Sequence, residues 1–289
     1  KVDEGCDLPE GFIPAMLPES VQDDFKPAEV PSFWSVEMMT KWLTNPKGSS
    51  FDAPPHPDEI EAEDNFQNLP EKEPRTHVKI DPSRGASEDR MLFETIGLDL
   101  SLNGQKDGIQ LAARVESDGE FGDLAAKIDT FHSLGGERRL AYWKTEEAQE
   151  GWICPDDVAK ALEGKTRIRM VLATPAIFYD GWKPGWLNGW PEDQAPGYWP
   201  KGLKLRLVSA CTDRWKPISG WSLEKGCRGP KAIRRLVPAG SVYFFEVLGN
   251  AVDAGELAKE LWMRSVSDDD QDRQDGFGLA VWGLWDYAD

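Results

Sequence analysis

Residues 240–248 read Gly-Ser-Val-Tyr-Phe-Phe-Glu-Val-Leu, and this run decides how the rest of the chain is read. It concentrates β-branched and aromatic side chains behind a glycine, the composition of a strand buried against a core. Just downstream, Ala254–Met263 turns to helical spacing, with Leu257, Leu261 and Trp262 directed inward. Leu279–Trp285 then returns to strand character. A strand, a helix and a strand are thus predicted in succession. Upstream, Arg167–Leu172 and Leu203–Ala210 are further predicted strands, and Asp156–Leu162 is an amphipathic segment.

The first half repeats the style. Arg75–Ile80 alternates polar and β-branched residues, Asp81-Pro82-Ser83-Arg84-Gly85 supplies a turn, and Met91–Leu102 forms the returning strand. Gly108–Ser117 and Arg138–Trp143 are predicted as strands. Gly122–Phe131 is predicted as a helix from Leu124, Ile128 and Phe131 at i, i+4, i+7. Before them, Ser32–Leu43 predicts a short helix capped by Ser35 or Ser32, with Trp34, Met38 and Trp42 on one face. Phe51–Pro74, rich in proline and acid, predicts a loop or insertion. Strands outnumber helices without regular alternation, so the fold class is α+β of the ferredoxin-like, split βαβ kind. Residues 1–150 and 151–289 form its two halves.

At 289 residues the chain can bury one large core or two smaller ones. No apolar run approaches the roughly 20 residues of a membrane helix. Four cysteines, Cys6, Cys154, Cys211 and Cys227, form no CxxC or Cys/His cluster, so neither a zinc site nor a disulfide framework is expected. Buried free thiols in a cytosolic protein are the expectation. The net charge of −18 is unevenly spread. Residues 1–74 hold 5 basic and 17 acidic residues, whereas residues 201–235 hold 10 basic and 2 acidic ones. An acidic body with one basic segment suits local binding of a nucleic acid, and equally a charged face in a larger assembly.

Four segments offer binding chemistry. Gly276 and Gly278 lie between helix and strand, where backbone N–H groups can cradle a phosphate or simply make a tight turn. Gly135 and Gly136 precede Arg138 and Arg139, which can fork onto phosphate or pair with Glu137. Arg75, His77 and Lys79 share one face of a strand, as an RNA contact or as a charged solvent edge. Lys225, Arg228, Lys231, Arg234 and Arg235 crowd a Gly/Pro segment beside Trp215 and Trp221, the mixture that holds single-stranded RNA. Residues 181–199 carry Trp182, Trp186, Trp190 and Trp199, for stacking on ligands or, preferably, for packing. Catalysis is poorly supplied. The three histidines, His56, His77 and His132, belong to no HExxH or other catalytic motif, and no P-loop or GxSxG occurs. No catalytic residue, metal or cofactor is expected.

Several runs, in order, resemble subunit three of the type III-B CRISPR (Cmr) complex, in the repeat-associated mysterious protein (RAMP) superfamily. They are THVKIDPSRGASEDRMLFET (76–95), LGGERRLAYW (134–143), LATPAIF (172–178) with Gly181-Trp182, LVSA (207–210) with KPISGWSL (216–223), GPKAIRRLVPAGSVYFFE (229–246) and GFGLAVWG (276–283). The resemblance spans about residue 75 to the C-terminus. It implies two ferredoxin-like (RRM-type) RAMP domains and a non-catalytic subunit that holds the 5′ handle of a CRISPR guide RNA. The implied neighbours are the large polymerase-like Cas subunit and a filament RAMP subunit, with target RNA met indirectly. By the same resemblance, Arg75, His77, Lys79 and Arg84 sit on or near an RNA-wedging thumb. Gly135, Gly136, Arg138 and Arg139 match a GGE-x-R element, Gly276, Gly278 and Gly283 a glycine-rich loop against RNA, and Lys231, Arg234 and Arg235 a basic loop. Family members open with a strand and a Pro-rich turn into the first helix. Neither precedes Lys1 here, so the first domain is expected to lack its opening strand. Two other functions remain conceivable from the residues: a RAMP endoribonuclease using His77 or His132, and a Trp-rich carbohydrate- or protein-binding module.

Overall fold

The structure is a computed structural model that describes residues 11–15, 32–45, 66–67, 70–100, 110–116, 127–135, 139–146, 150–191, 194–249 and 251–285. The chain divides into two units. One comprises residues 1–29, 34–65 and 148–289, and the other residues 30–33 and 66–147.

Among the described residues, the first elements in chain order are β1 (Phe33–Trp34), α1 (Val36–Thr44), β2 (Phe66–Gln67), β3 (Glu71–Asp81), β4 (Ala86–Asp99), β5 (Asp129–Leu134) and β6 (Arg139–Lys144). Of the two serines the sequence offers, Ser35 caps α1, its side chain accepting from the Met38 amide. β3 and β4 form an antiparallel hairpin from Glu71↔Asp99 to Asp81↔Ala86. Pro74 is tolerated there because each strand of a two-stranded ribbon keeps a free edge. At the turn, Gly85 takes φ +60. β5 and β6 form a second hairpin.

Three expectations change here. The helix predicted over Gly122–Phe131 ends instead in strand, since β5 begins at Asp129; residues 121–126 lie outside the described residues. Its i, i+4, i+7 pattern loses to the hairpin partner β6, reached through Gly135 at φ +76. His132 therefore stands in a strand rather than near a helix end. Of the strand predicted at Gly108–Ser117, residues 110–116 are described, and they belong to no strand. The predicted loop 51–74 is cut short, since β3 already starts at Glu71.

The larger unit continues with α2 (Asp156–Leu162), β7 (Arg167–Leu172), β8 (Leu205–Cys211), β9 (Lys216–Ile218), β10 (Trp221–Ser222), β11 (Gly229–Pro230) and β12 (Arg234–Leu236). After these come β13 (Val242–Val247), α3 (Ala254–Leu261), β14 (Arg264–Ser265), α4 (Asp270–Gln274) and β15 (Leu279–Leu284). Its central sheet has the order β14-β15-β7-β13-β8, antiparallel throughout. Strands predominate over helices, which fits the α+β class.

The core is built on β13. Tyr243 and Phe245 are fully buried on one face of that strand, and Trp282 and Met170 lie in register with Tyr243 across the sheet. Burial of such a side chain contributes about 2–3 kcal/mol. Over this face lies the tryptophan-rich segment. Trp186 packs on Phe245 at 5.9 Å and on Trp199 at 4.9 Å, and Trp190 meets Trp199 at 5.2 Å. Packing, the preferred reading of these rings, is what the structure contains for Trp186, Trp190 and Trp199, whereas Trp182 is exposed. Trp282 Nε1 donates to Leu261 O of α3. On the opposite face, Gly283 and Arg169 share a row. There α1 docks: a Cβ on Gly283 would stand 2.7 Å from Leu43 O. The Arg169 guanidinium donates to the carbonyls of Trp42 and Asn45 and lies over the Trp42 ring at 4.0 Å. Burial draws its pKa down to about 10. The thiols depart from expectation, since Cys211 and Cys227 are exposed and Cys154 is half-buried. No helix among the described residues is long and apolar enough to cross a membrane.

Candidate nucleic-acid interface

The β3–β4 hairpin places Arg75, His77 and Lys79 along one face, as period-2 spacing requires. Each is held. Arg75 pairs with Glu73 at 2.7 Å, Lys79 with Glu88 at 2.9 Å, and Arg84 with Asp81 at 2.7 Å. His77 shares a 2.8 Å hydrogen bond with Thr95 Oγ1 and stacks on Phe93 at 5.3 Å. From β6, Arg139 reaches Glu73 at 2.9 Å and lies over Gly97, where a Cβ would collide with its guanidinium. Arg75, helped by Arg139, holds the Glu73 carboxyl below its ordinary range. Ser83 and Arg84 draw Asp81 down to about 2, locking the turn. Arg75, Arg84 and Arg139 are therefore brought onto one hairpin assembly with their acids. Gly136 and Arg138 lie outside the described residues.

In the larger unit, residues between β8 and β13 form an arm of two short ladders, β9–β12 and β10–β11. The Lys231 amide donates to Gly220 O, and Ser219 Oγ to Lys231 O, so the arm closes into a narrow hairpin. Adjacent arginines on β12 point to opposite faces. Arg234 turns inward to the buried carboxylate of Asp272 and lies over the Phe277 ring at 5.6 Å. Arg235 turns outward onto exposed Trp215, 4.8 Å from its ring centre. Between arm and glycine turn opens a cleft of about 340 Å³. It is lined on one side by Gly220, Lys231 and Arg234 and on the other by Asp275 and Phe277. Two sequence segments read separately thus meet at one site.

The glycine turn itself corrects an expectation. The amides of Gly276, Phe277 and Gly278 donate to Arg273 O, Asp272 O and Pro175 O, so they are not turned out as a phosphate cradle. Gly276 and Gly278 take φ +82 and +78, and a Cβ on Gly278 would meet Ser267 Oγ at 2.5 Å. These glycines serve a tight turn and close packing. Gly283 is a second correction: it is buried beneath α1 rather than offered to a ligand.

The chain matches the family model described as CRISPR-associated protein (Cas_Cmr3) over residues 1–285. It belongs to this family. A comparison with individual curated proteins finds no match. As a Cas_Cmr3 protein it is a CRISPR-associated Cmr subunit, a component of a Cas effector complex with other Cas subunits. Sequence reasoning missed two residues of this Cas_Cmr3 site, Phe277 in the cleft and Asp272 as the partner of Arg234. Phe277 stands inside the GxG motif but was hidden by its glycines, and Asp272 carries no signal beyond its place in an acidic run. The three described residues Arg75, His77 and Lys79 match the predicted face, whereas Arg234 and Arg235, named together, part company. Among the described residues, no three His, Cys, Asp or Glu side chains gather as a metal site.

Proposed function

We propose that this Cas_Cmr3 protein is a non-catalytic RNA-binding subunit of a type III-B CRISPR effector complex. In this reading it holds the 5′ handle of the guide RNA and bridges the large polymerase-like subunit to the RAMP filament. The observation that carries the reading is the cleft where Lys231, Arg234 and Phe277 converge. It offers the Lys231 ammonium for a phosphate and the Phe277 ring for a base, with Arg234 held in place by Asp272, beside an outward Arg235–Trp215 pair on which a second base can stack. In a chain of net charge −18, such a local basic surface favours binding by fit over indiscriminate attraction. Support for ferredoxin-like architecture comes from the order β15-β7-β13-β8 with α3 linking β13 to β15. That is the fourth-first-third-second arrangement of a split βαβ unit. The segment between β7 and β8 departs from it, carrying a short 3-10 turn at Gly185–Asn188 in place of a crossover helix.

The test pairs RNA binding with charge reversal. The full chain is titrated with an RNA that begins with the CRISPR repeat-derived 5′ segment, beside an unrelated RNA of equal length. Lys231→Glu together with Arg235→Glu lowers affinity and makes the salt slope shallower by about 1.4, two single-strand phosphates' worth. Wild-type affinity and slope in the double variant overturn the reading. Cleavage of repeat RNA that disappears in His77→Ala replaces it with the endoribonuclease reading.

A further inference from the structure

Across the β3–β4 hairpin the register slips at one place. Val78 faces Leu92 and Ile80 faces Ser87, so Lys79 alone stands opposite Glu88, Asp89, Arg90 and Met91. This bulge of four residues against one contains Arg90, which takes φ +62. The left-handed region suits glycine, and Gly85 occupies it at the nearby turn. An arginine there is held against its own backbone preference. Bulges of this kind redirect a side chain away from the ladder. The remaining charges of the hairpin say what the redirected side chain offers. Arg75 is paired with Glu73, which it shares with Arg139, Lys79 with Glu88 and Arg84 with Asp81. Arg90 is exposed and has no acid partner among the described residues, not even its neighbour Asp89. Lys72, the other cation of the hairpin without such a partner, lies near its far end opposite Leu98.

We propose that Arg90 is a phosphodiester contact of the bound RNA strand, the cation that the β4 bulge presents for that purpose. The proposal rests on the RNA-binding reading above and assigns it a residue that no motif had singled out. A guanidinium free of intramolecular carboxylates gives its full charge to a phosphate, whereas Arg75 and Arg84 must first leave theirs. The bulge fixes where along the hairpin that charge stands.

The experiment uses the full chain and the repeat-derived RNA, with Arg90→Gln, Arg90→Gly and Arg90→Lys. Affinity is measured between about 50 and 200 mM salt, and melting temperature is recorded in parallel. The Gln and Gly variants are expected to bind more weakly, with a slope shallower by about 0.7, or about 2.6-fold less affinity lost across that salt range. The Lys variant keeps the wild-type slope. The Gly variant melts no lower than wild type, because glycine removes the strain, so its weaker binding is not a folding defect. Wild-type slopes in the Gln and Gly variants, with RNA binding by the parent chain intact, overturn the Arg90 assignment alone. So does weaker binding with an unchanged slope and a lower melting temperature. A parent chain that binds neither RNA overturns the RNA-binding reading itself, and this assignment with it.

Discussion

Arg234 and Arg235 differ by one position and by 180° of strand, and that difference sets their roles. Arg234 ends on Asp272, whose side chain is 4% exposed, while the arginine itself is 38% exposed. Removing one partner of such a pair strands the other charge in a partly desolvated place. Asp272→Ala is expected to lower stability by about 2 kcal/mol in urea denaturation, less than a fully buried pair would because Arg234 keeps access to water. Arg235→Ala, which gives up an exposed ring contact with Trp215, is expected to cost under about 1 kcal/mol. Equal losses in the two variants would contradict the inward and outward assignment. The pattern of alternation was legible in the sequence, since Arg-Arg on any strand must split between faces. Which face held the acid was not legible, because Asp272 lies far along the chain.

α1 is an element whose anchoring is tertiary. Its helical signals are local: the Ser35 cap, and Glu37 in its first turn paired to Lys41 at 2.7 Å. Nine residues with one cap and one exposed pair do not hold a helix in water. Docking supplies the rest, through Leu43 against Gly283 and the Arg169 guanidinium on the helix's final carbonyls. Gly283→Ala pushes a methyl group into Leu43 O, and Arg169→Leu removes the donors. Both variants are expected to speed tryptic cleavage after Lys41 relative to wild type, with Asp272→Ala as a control that leaves this site unchanged. Unaltered cleavage in both would show that α1 holds its place by other contacts. The run GFGLAVWG resembles a ligand loop of the family, although its spacing alone equally reads as a tight turn, and Gly278 and Gly283 are required by Ser267 and Leu43. Close backbone approach leaves the same glycine signal whether the neighbour is a ligand or the protein itself.

At the scale of the whole molecule, the two units differ in how their strands are protected. Every buried apolar side chain among the described residues belongs to the larger unit, from Leu43 to Trp285. In the smaller unit, Leu92, Ile96, Phe131 and Leu140 are all exposed. Amide exchange in the isolated chain should follow this contrast. The amides of β7, β13 and β15 are expected to be protected at least about a hundredfold more than those of β3 to β6. Matching protection in both sets would mean that the hairpins are covered in solution. The sequence by itself determined the strands β3, β7, β13 and β15, the helix α3 and a serine cap on α1. It also determined the family, because these follow from periodicity, from nearest-neighbour chemistry and from ordered motifs. Only the tertiary structure decided that residues 129–134 pair as a strand and that the basic arm meets the glycine turn around Phe277. It likewise decided that Gly283 lies under a helix, since each of these depends on a partner distant in sequence or on a pairing that overrides local spacing.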